Sequence, residues 1–242
     1  MHKVNLPVVL FLVALLGSGS VAAQTPQPQP GAAAPEVTDK FESIKVLARQ
    51  LQQEKTPFMK LVSIAESDNK KVNFNHLRRS FLFDNVFQRV WVLKPEIDAL
   101  RQEMIYAAQA NDHVKVRVTS RLLLTVKYPD IQAHKLLAAA CVAAGWRGCA
   151  EHHNLIYLGL LNSVVKDGDG KTCATAWKVF SVDEENAILE TMRMRRMRHE
   201  YVILNNKQCD EVRVSDSGGT ERNFYFDISE MPNEERAVAG LK

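Results

Sequence analysis

The apolar residues of this chain change their period near Asp167, and that change constrains the fold more than any other feature. Before it, apolar side chains recur three and four residues apart, the spacing of a helix face. Phe41, Ile44, Leu47 and Leu51 form one such series, with Asp39 as its expected cap. Phe58, Leu61, Val62 and Ala65 form a second after Pro57, and Phe74, Leu77, Phe81 and Leu82 a third. Pro95 suits the first turn of a helix through Leu100, Met104 and Ala108, which Asn111 and Asp112 end. Val114, Val118, Leu122 and Val126 follow, up to Tyr128-Pro129. Two more helices are expected, from about Ile131 to Ala144 and from Cys149 to Val165.

After Asp167 the pattern is that of strands. Thr172 to Val182 and Glu200 to Leu204 are rich in strand formers, and Cys209 to Val214 alternates. Asn223 to Ser229 places Phe224, Phe226 and Ile228 on one face and Tyr225 and Asp227 on the other. Ser181 followed by Glu184 is a capping box, so a helix is expected from Asp183 to about Met192. Ser217-Gly218-Gly219-Thr220 reads as a turn and residues 231–242 as a loose tail. The fold class is α+β: a helical-hairpin part over 37–166, then a small antiparallel sheet carrying one helix over 167–230.

The first 23 residues have another purpose. Lys3 precedes an apolar run from Val8 to Leu16, and small residues lead to Val21-Ala22-Ala23. This is the pattern of a secretory signal peptide cleaved before Gln24. The run is shorter than the roughly 20 apolar residues a membrane span requires. Residues 24–36 begin QTPQPQPGAAAP, too poor in apolar side chains to offset the entropy cost of ordering, and read as a disordered linker. The mature chain is expected to be soluble, in the periplasm or outside the cell. A net charge of +3 argues against a dedicated nucleic-acid binder.

An even number of Cys in an exported chain points to disulfides. Cys141 and Cys149 flank the Gly145-Trp146-Arg147-Gly148 turn, within disulfide reach of each other. Cys173 with Cys209 is then the favoured second pair, and free thiols or another of the three connectivities are the alternatives. A zinc site is the competing reading, but the chain has no C-x-x-C pair.

Two resemblances bear on the architecture. The segment from Ala110 to His152, with small residues at Ala107, Ala108, Ala138, Ala139, Ala140 and Ala150, resembles a tetratricopeptide-type helical repeat over little more than one repeat. A generic helical hairpin is the alternative. VNFNHLRRSF near Val72, AHKLLAAAC near His134, DGDGKTCATAWKVFSVDEE from Asp167 and the closing NFYFDI together resemble a family of exported bacterial proteins, a domain of unknown function. That resemblance implies export, a helical first part and a small C-terminal sheet, and it carries no activity. Asp167 stands where the family commonly has Ser.

Four groups of residues invite a chemical reading. Asp167 and Asp169 in DGDGKT resemble the start of a calcium loop, but Lys171 and Lys178 occupy the places of an oxygen ligand and the closing Glu. A glycine-rich turn is the favoured reading, with Gly168 and Gly170 at positive φ. The loop also lacks the full phosphate-binding spacing. His134, His152 and His153, near Asp130 and Glu151, have the chemistry for acid–base work or metal binding. The plainer reading is unrelated polar positions on two helices. Met192 to His199 is the strong basic run, able to meet an envelope protein or an anionic surface through Arg193, Arg195, Arg196 and Arg198. Its plainer reading is a solvated helix end and connector.

The sequence contains no complete catalytic constellation and implies no cofactor. The favoured function is a non-catalytic interaction or structural module of the cell envelope. The alternative is a hydrolase or transferase whose site joins His134 or His153 to Asp169 and Lys171 in the DGDGKT turn.

Overall fold

Short polar side chains divide the helical part into its elements. In the computed structural model, which describes residues 40–241, Thr56 accepts the Met59 N–H, Asn73 that of His76 and Asp84 that of Val86. Asp112 and Asp130 accept from Lys115 and Ala133 in the same way. Each cap satisfies a donor that the first helical turn leaves free. The helices are α1 (Glu42–Leu51), α2 (Pro57–Ser67), α3 (Phe74–Phe83), α4 (Asn85–Val92), α5 (Lys94–Gln109), α6 (His113–Val126), α7 (Ile131–Ala143) and α8 (Arg147–Val165), of which α1, α5 and α8 begin without a side-chain cap. The signal peptide, the linker and Asp39 lie outside the described residues. The first N-cap is Phe41. α4 follows the third apolar series and was not expected from the sequence; Asp84 both ends α3 and caps α4.

Consecutive helices from α5 to α8 pack on one another. Ala107, Val116 and Ala140 form a small contact of their own, where short side chains let α5, α6 and α7 approach closely. Gly145 takes a positive φ at the α7–α8 turn, and the Cys141–Cys149 disulfide closes that turn.

The second half adds β1 (Trp177–Lys178), α9 (Val182–Thr191), β2 (Arg195–Leu204), β3 (Lys207–Ser215), β4 (Glu221–Asp227) and α10 (Asn233–Val238). The sheet order is β1-β4-β3-β2. β2, β3 and β4 pair antiparallel, as expected, but β1 runs parallel to β4 and makes the sheet mixed. The expected strand from Thr172 to Val182 shrinks to two residues. A turn from Thr172 to Thr175 and the Cys173–Cys209 disulfide fold its first half across the sheet instead.

Two further expectations change. The basic run was expected as a connector, yet β2 begins at Arg195 and pairs with β3 from Arg195↔Ser215 to Leu204↔Lys207. Arg and Met conceal its alternation, and a register irregularity lies between Arg196 and Arg198. A basic, bulged edge strand is a common defence against stray strand pairing. The tail also proves ordered: α10 sits within it, Met231 and Leu241 are buried, and Arg236 bonds Gln208 on β3.

One apolar core joins both halves, running from Ile44, Leu77 and Leu123 through Ile156 to Trp177, Val212 and Phe226. α9 bears on α7 and β2, and β1 bears on α8. The polar groups that cross this junction meet at the start of α9.

Candidate functional site

Ser181 opens α9 by accepting the Glu184 N–H, and three carboxylates follow in its first turn: Asp183, Glu184 and Glu185. Acidic groups there suit the positive end of the helix dipole. Successive helical residues point about 100° apart. The three carboxylates therefore face three directions, and each meets a different cation.

Glu184 meets Arg78. Arg78 on α3 is 1% exposed, the largest side chain fully enclosed by the fold. Its Nε and Nη2 donate to Glu184 Oε1 and Oε2, both at 2.7 Å. Nη1 donates to Ser163 Oγ on α8 at 3.2 Å, and Nη2 also donates to the Lys178 carbonyl on β1 at 3.0 Å. Glu184 Oε2 accepts the Phe180 N–H at 2.8 Å, and the guanidinium lies 4.7 Å from the Phe180 ring centre. One side chain thus ties α3, α8, β1 and α9 together.

Asp183 faces Arg101 at 2.8 Å and Lys127 at 2.7 Å. Arg101 also donates to Asp130, the cap of α7, at 2.5 Å. Burial opposes the charges on Arg101 and Lys127, but the facing carboxylates outweigh it and hold both above their usual pKa. Burial likewise opposes ionisation of Asp183, and Arg101 with Lys127 overcomes it, so its pKa falls. A cavity beside this network, lined in part by Lys127, Asp183 and Glu235, leaves about 30 Å³ for water. That is room for a water or two, well below the roughly 300 Å³ or more of usual ligand pockets.

Glu185 points under the sheet. Glu185 and Asp210 on β3 are both 0% exposed. Arg196 reaches them from β2, with Nη2 at 2.6 Å from Glu185 Oε2 and Nη1 at 3.4 Å from Asp210 Oδ2. His199 Nδ1 lies 3.4 Å from Asp210 Oδ1. Burial, helped by the Asp210 charge, pushes Glu185 up to about 8 against the pull of Arg196. Burial raises Asp210 too, against His199 and Arg196. Two such carboxyls do not both ionise at neutral pH. The two carboxyls titrate as one unit, with the pKa of each raised by burial.

The residues singled out in the sequence fall elsewhere. His134 on α7 is 0% exposed and meets His153 of α8, with the two Nδ1 atoms 3.1 Å apart. His134 Nε2 lies 3.0 Å from the Tyr128 carbonyl, which can only accept, so Nε2 carries the proton and His153 donates to Nδ1. Burial and the neighbouring His lower His134 to about 3 and His153 to about 4. Both are neutral at physiological pH. His152 Nε2 stands 3.4 Å from Glu66, and Glu151 is exposed. Asp169 bonds within its own loop, accepting the Lys171 N–H at 3.1 Å and the Thr175 hydroxyl at 2.6 Å, with Lys171 Nζ at 3.4 Å. Asp167 is exposed beside Lys166. Among the described residues, His134 and His153 meet each other, Tyr128 and His152, and neither Asp169 nor Lys171. Among the described residues, no group of three or more His, Cys, Asp or Glu is placed to hold a metal ion.

Gly170 takes a positive φ of +66°, as expected, but Gly168 does not. Gly168 is needed for a different reason: a Cβ there would stand 2.2 Å from the Thr175 carbonyl oxygen. The basic run also divides. Arg193, Arg195 and Arg198 are exposed and make no ion pair among the described residues, whereas Arg196 turns inward to Glu185 and Asp210. Arg196 is therefore not part of an outward basic surface.

The segments that hold this junction are those whose resemblance was noted: Arg78 lies in VNFNHLRRSF, and Asp183, Glu184 and Glu185 close the DGDGKT-to-DEE stretch. Residues 45–237 match a domain of unknown function, DUF4919. The chain belongs to that family. No curated protein and no solved structure matches it. In this DUF4919 chain Arg78, Asp183, Glu184 and Glu185 of those motifs serve the junction of helices and sheet. Sequence reasoning missed Arg78, Arg101 and Asp210, and the available signal was the three acids after a capping Ser with a surplus of Arg elsewhere.

Proposed function

We propose that this DUF4919 chain is an exported, non-catalytic interaction or structural module of the bacterial cell envelope. The observation that carries the reading is the use of its buried charges. Arg78 with Glu184, Arg101 with Asp130, Glu185 and Asp210 with Arg196, and Asp227 with Lys207 are each matched inside the protein. A catalytic acid, base or nucleophile must be free to reach a substrate. Each of these groups has an opposite charge within the protein, and the cavity beside them leaves only about 30 Å³. Two disulfides fit an oxidising compartment, and no helix among the described residues is long and apolar enough to cross a membrane.

Export is tested by N-terminal sequencing of the chain from fractionated cells, which should begin at or near Gln24. An intact Met1 in the cytoplasm would remove the reading. The absence of catalysis is tested with ester, phosphoester, glycoside and peptide substrates. Turnover by the processed chain that is lost in His153→Asn would establish the hydrolase alternative.

A further inference from the structure

The end of the molecule formed by α6 and the α7–α8 turn carries an exposed surface that the junction does not use. Trp146 at the turn is 47% exposed, unusual for so large an aromatic. Two cations from α6 lie against its ring, the Arg117 guanidinium 4.5 Å and the Arg121 guanidinium 5.9 Å from the centre. Val114, Arg117, Val118 and Arg121 recur three and four residues apart and so share one face of α6. Val114 is 62% exposed, Val118 58% and, next to the turn, Val142 68%. The Cys141–Cys149 disulfide fixes both ends of the turn, so Trp146 is held in place before any partner arrives.

The charge on this surface is unbalanced. Arg117, Arg121 and Arg147 make no ion pair among the described residues, and Lys115 pairs with Glu103. Glu151 is the carboxylate that lines the shallow hollow beside the turn, together with Arg147 and Val142. Apolar and cationic side chains are interleaved. A protein hot spot gathers its apolar groups at the centre and its charges at the rim. A bilayer interface has the other requirement: aromatic and aliphatic groups at headgroup depth, with guanidiniums beside them at the phosphates.

We propose that the α7–α8 turn and the adjoining face of α6 form a contact surface for an anionic lipid bilayer, with Trp146 as the anchor and Arg117, Arg121 and Arg147 as the phosphate-facing cations. This deepens the interaction-module reading and rests on it. The surface is distinct from the exposed Arg193, Arg195 and Arg198 at the start of the sheet edge.

The test uses the processed chain as isolated from the producing cell, with vesicles of phosphatidylcholine alone or mixed equally with phosphatidylglycerol. Binding is read by co-sedimentation and by a blue shift of Trp emission. Tight binding is expected only with the anionic vesicles and should weaken at high salt. Arg117→Gln with Arg121→Gln should weaken it by about fivefold for each guanidinium lost. Trp146→Ala should remove the blue shift, and thermal unfolding checks that each variant is folded. Arg193→Gln, Arg195→Gln and Arg198→Gln together should leave binding unchanged. Equal binding to both vesicles, no binding, loss of binding in the β2 variant alone, or capture by a soluble polyglutamate in place of vesicles would each overturn the assignment. If the chain is exported but ignores vesicles, the surface assignment fails and the module reading stands. If the chain is cytoplasmic, the module reading fails whatever the vesicles do.

Discussion

Replacing Arg78 by Met keeps most of the side-chain volume and removes the charge that four elements share. The carboxylate of Glu184 would then stay buried, holding only the Phe180 N–H. Breaking one partner of a buried pair typically costs about 3 to 5 kcal/mol, mostly from the stranded charge. Ser163 and the Lys178 carbonyl lose their donor as well, so the upper half of that range is expected. For a chain of this size the loss lowers the melting temperature by roughly 8 to 20 °C. Glu184→Leu should cost a similar amount, because it strands the guanidinium. The double variant strands neither charge. Its main loss is the acceptor of the Phe180 N–H, worth about 1 to 3 kcal/mol. Urea unfolding followed by circular dichroism gives all three values. If the two single costs add in the double variant, or if Arg78→Met costs less than about 1 kcal/mol, the junction is not what holds the halves together.

The carboxyl pair makes a prediction about pH. Glu185 has a raised pKa in the folded chain, so its stabilising contribution is complete below about 4.5 and is lost as pH rises through about 8. Glu185→Gln should therefore gain stability over the parent between pH 5 and pH 8.5, and a constant difference would contradict this. His134 and His153 act in the opposite direction: their folded pKa values are lowered, so stability falls as pH drops from about 6.5 towards their folded values of about 3 and 4. In the DGDGKT turn, Gly168→Ala meets the Thr175 carbonyl and Gly170→Ala takes a strained φ against Trp177, so each should cost about 1 to 3 kcal/mol in thermal unfolding. Asp169→Asn should leave melting insensitive to calcium, and micromolar calcium binding by calorimetry would refute the reading of a structural turn. Non-reducing peptide maps should link Cys141 to Cys149 and Cys173 to Cys209. Because the enclosed segments are 8 and 36 residues apart in sequence, loop entropy makes the second bond worth about 4 kcal/mol and the first about 2.5.

Local features of this chain were legible without the structure. The spacing of Ile44, Leu47 and Leu51 marks α1, and Ser181 with Glu184 marks the start of α9. The alternation of Phe224 and Phe226 marks the buried face of β4, and the turn at Gly145 places Cys141 beside Cys149. Each depends on neighbours within a few residues, where backbone geometry alone decides which side chains share a face. The strand at Arg195 and the parallel pairing of β1 were not legible, because a strand's partner lies far along the chain and Arg alternates without an apolar signature. The same holds for the junction. Arg78 and Glu184 are 106 residues apart, and Arg101 and Asp183 are 82 apart. Nothing near Glu184 distinguishes it from Asp183 or Glu185 in the sequence. The 100° between successive residues of α9 sends each carboxylate to its own cation, and only the packing of α3, α5 and β2 around that helix decides which cation is there.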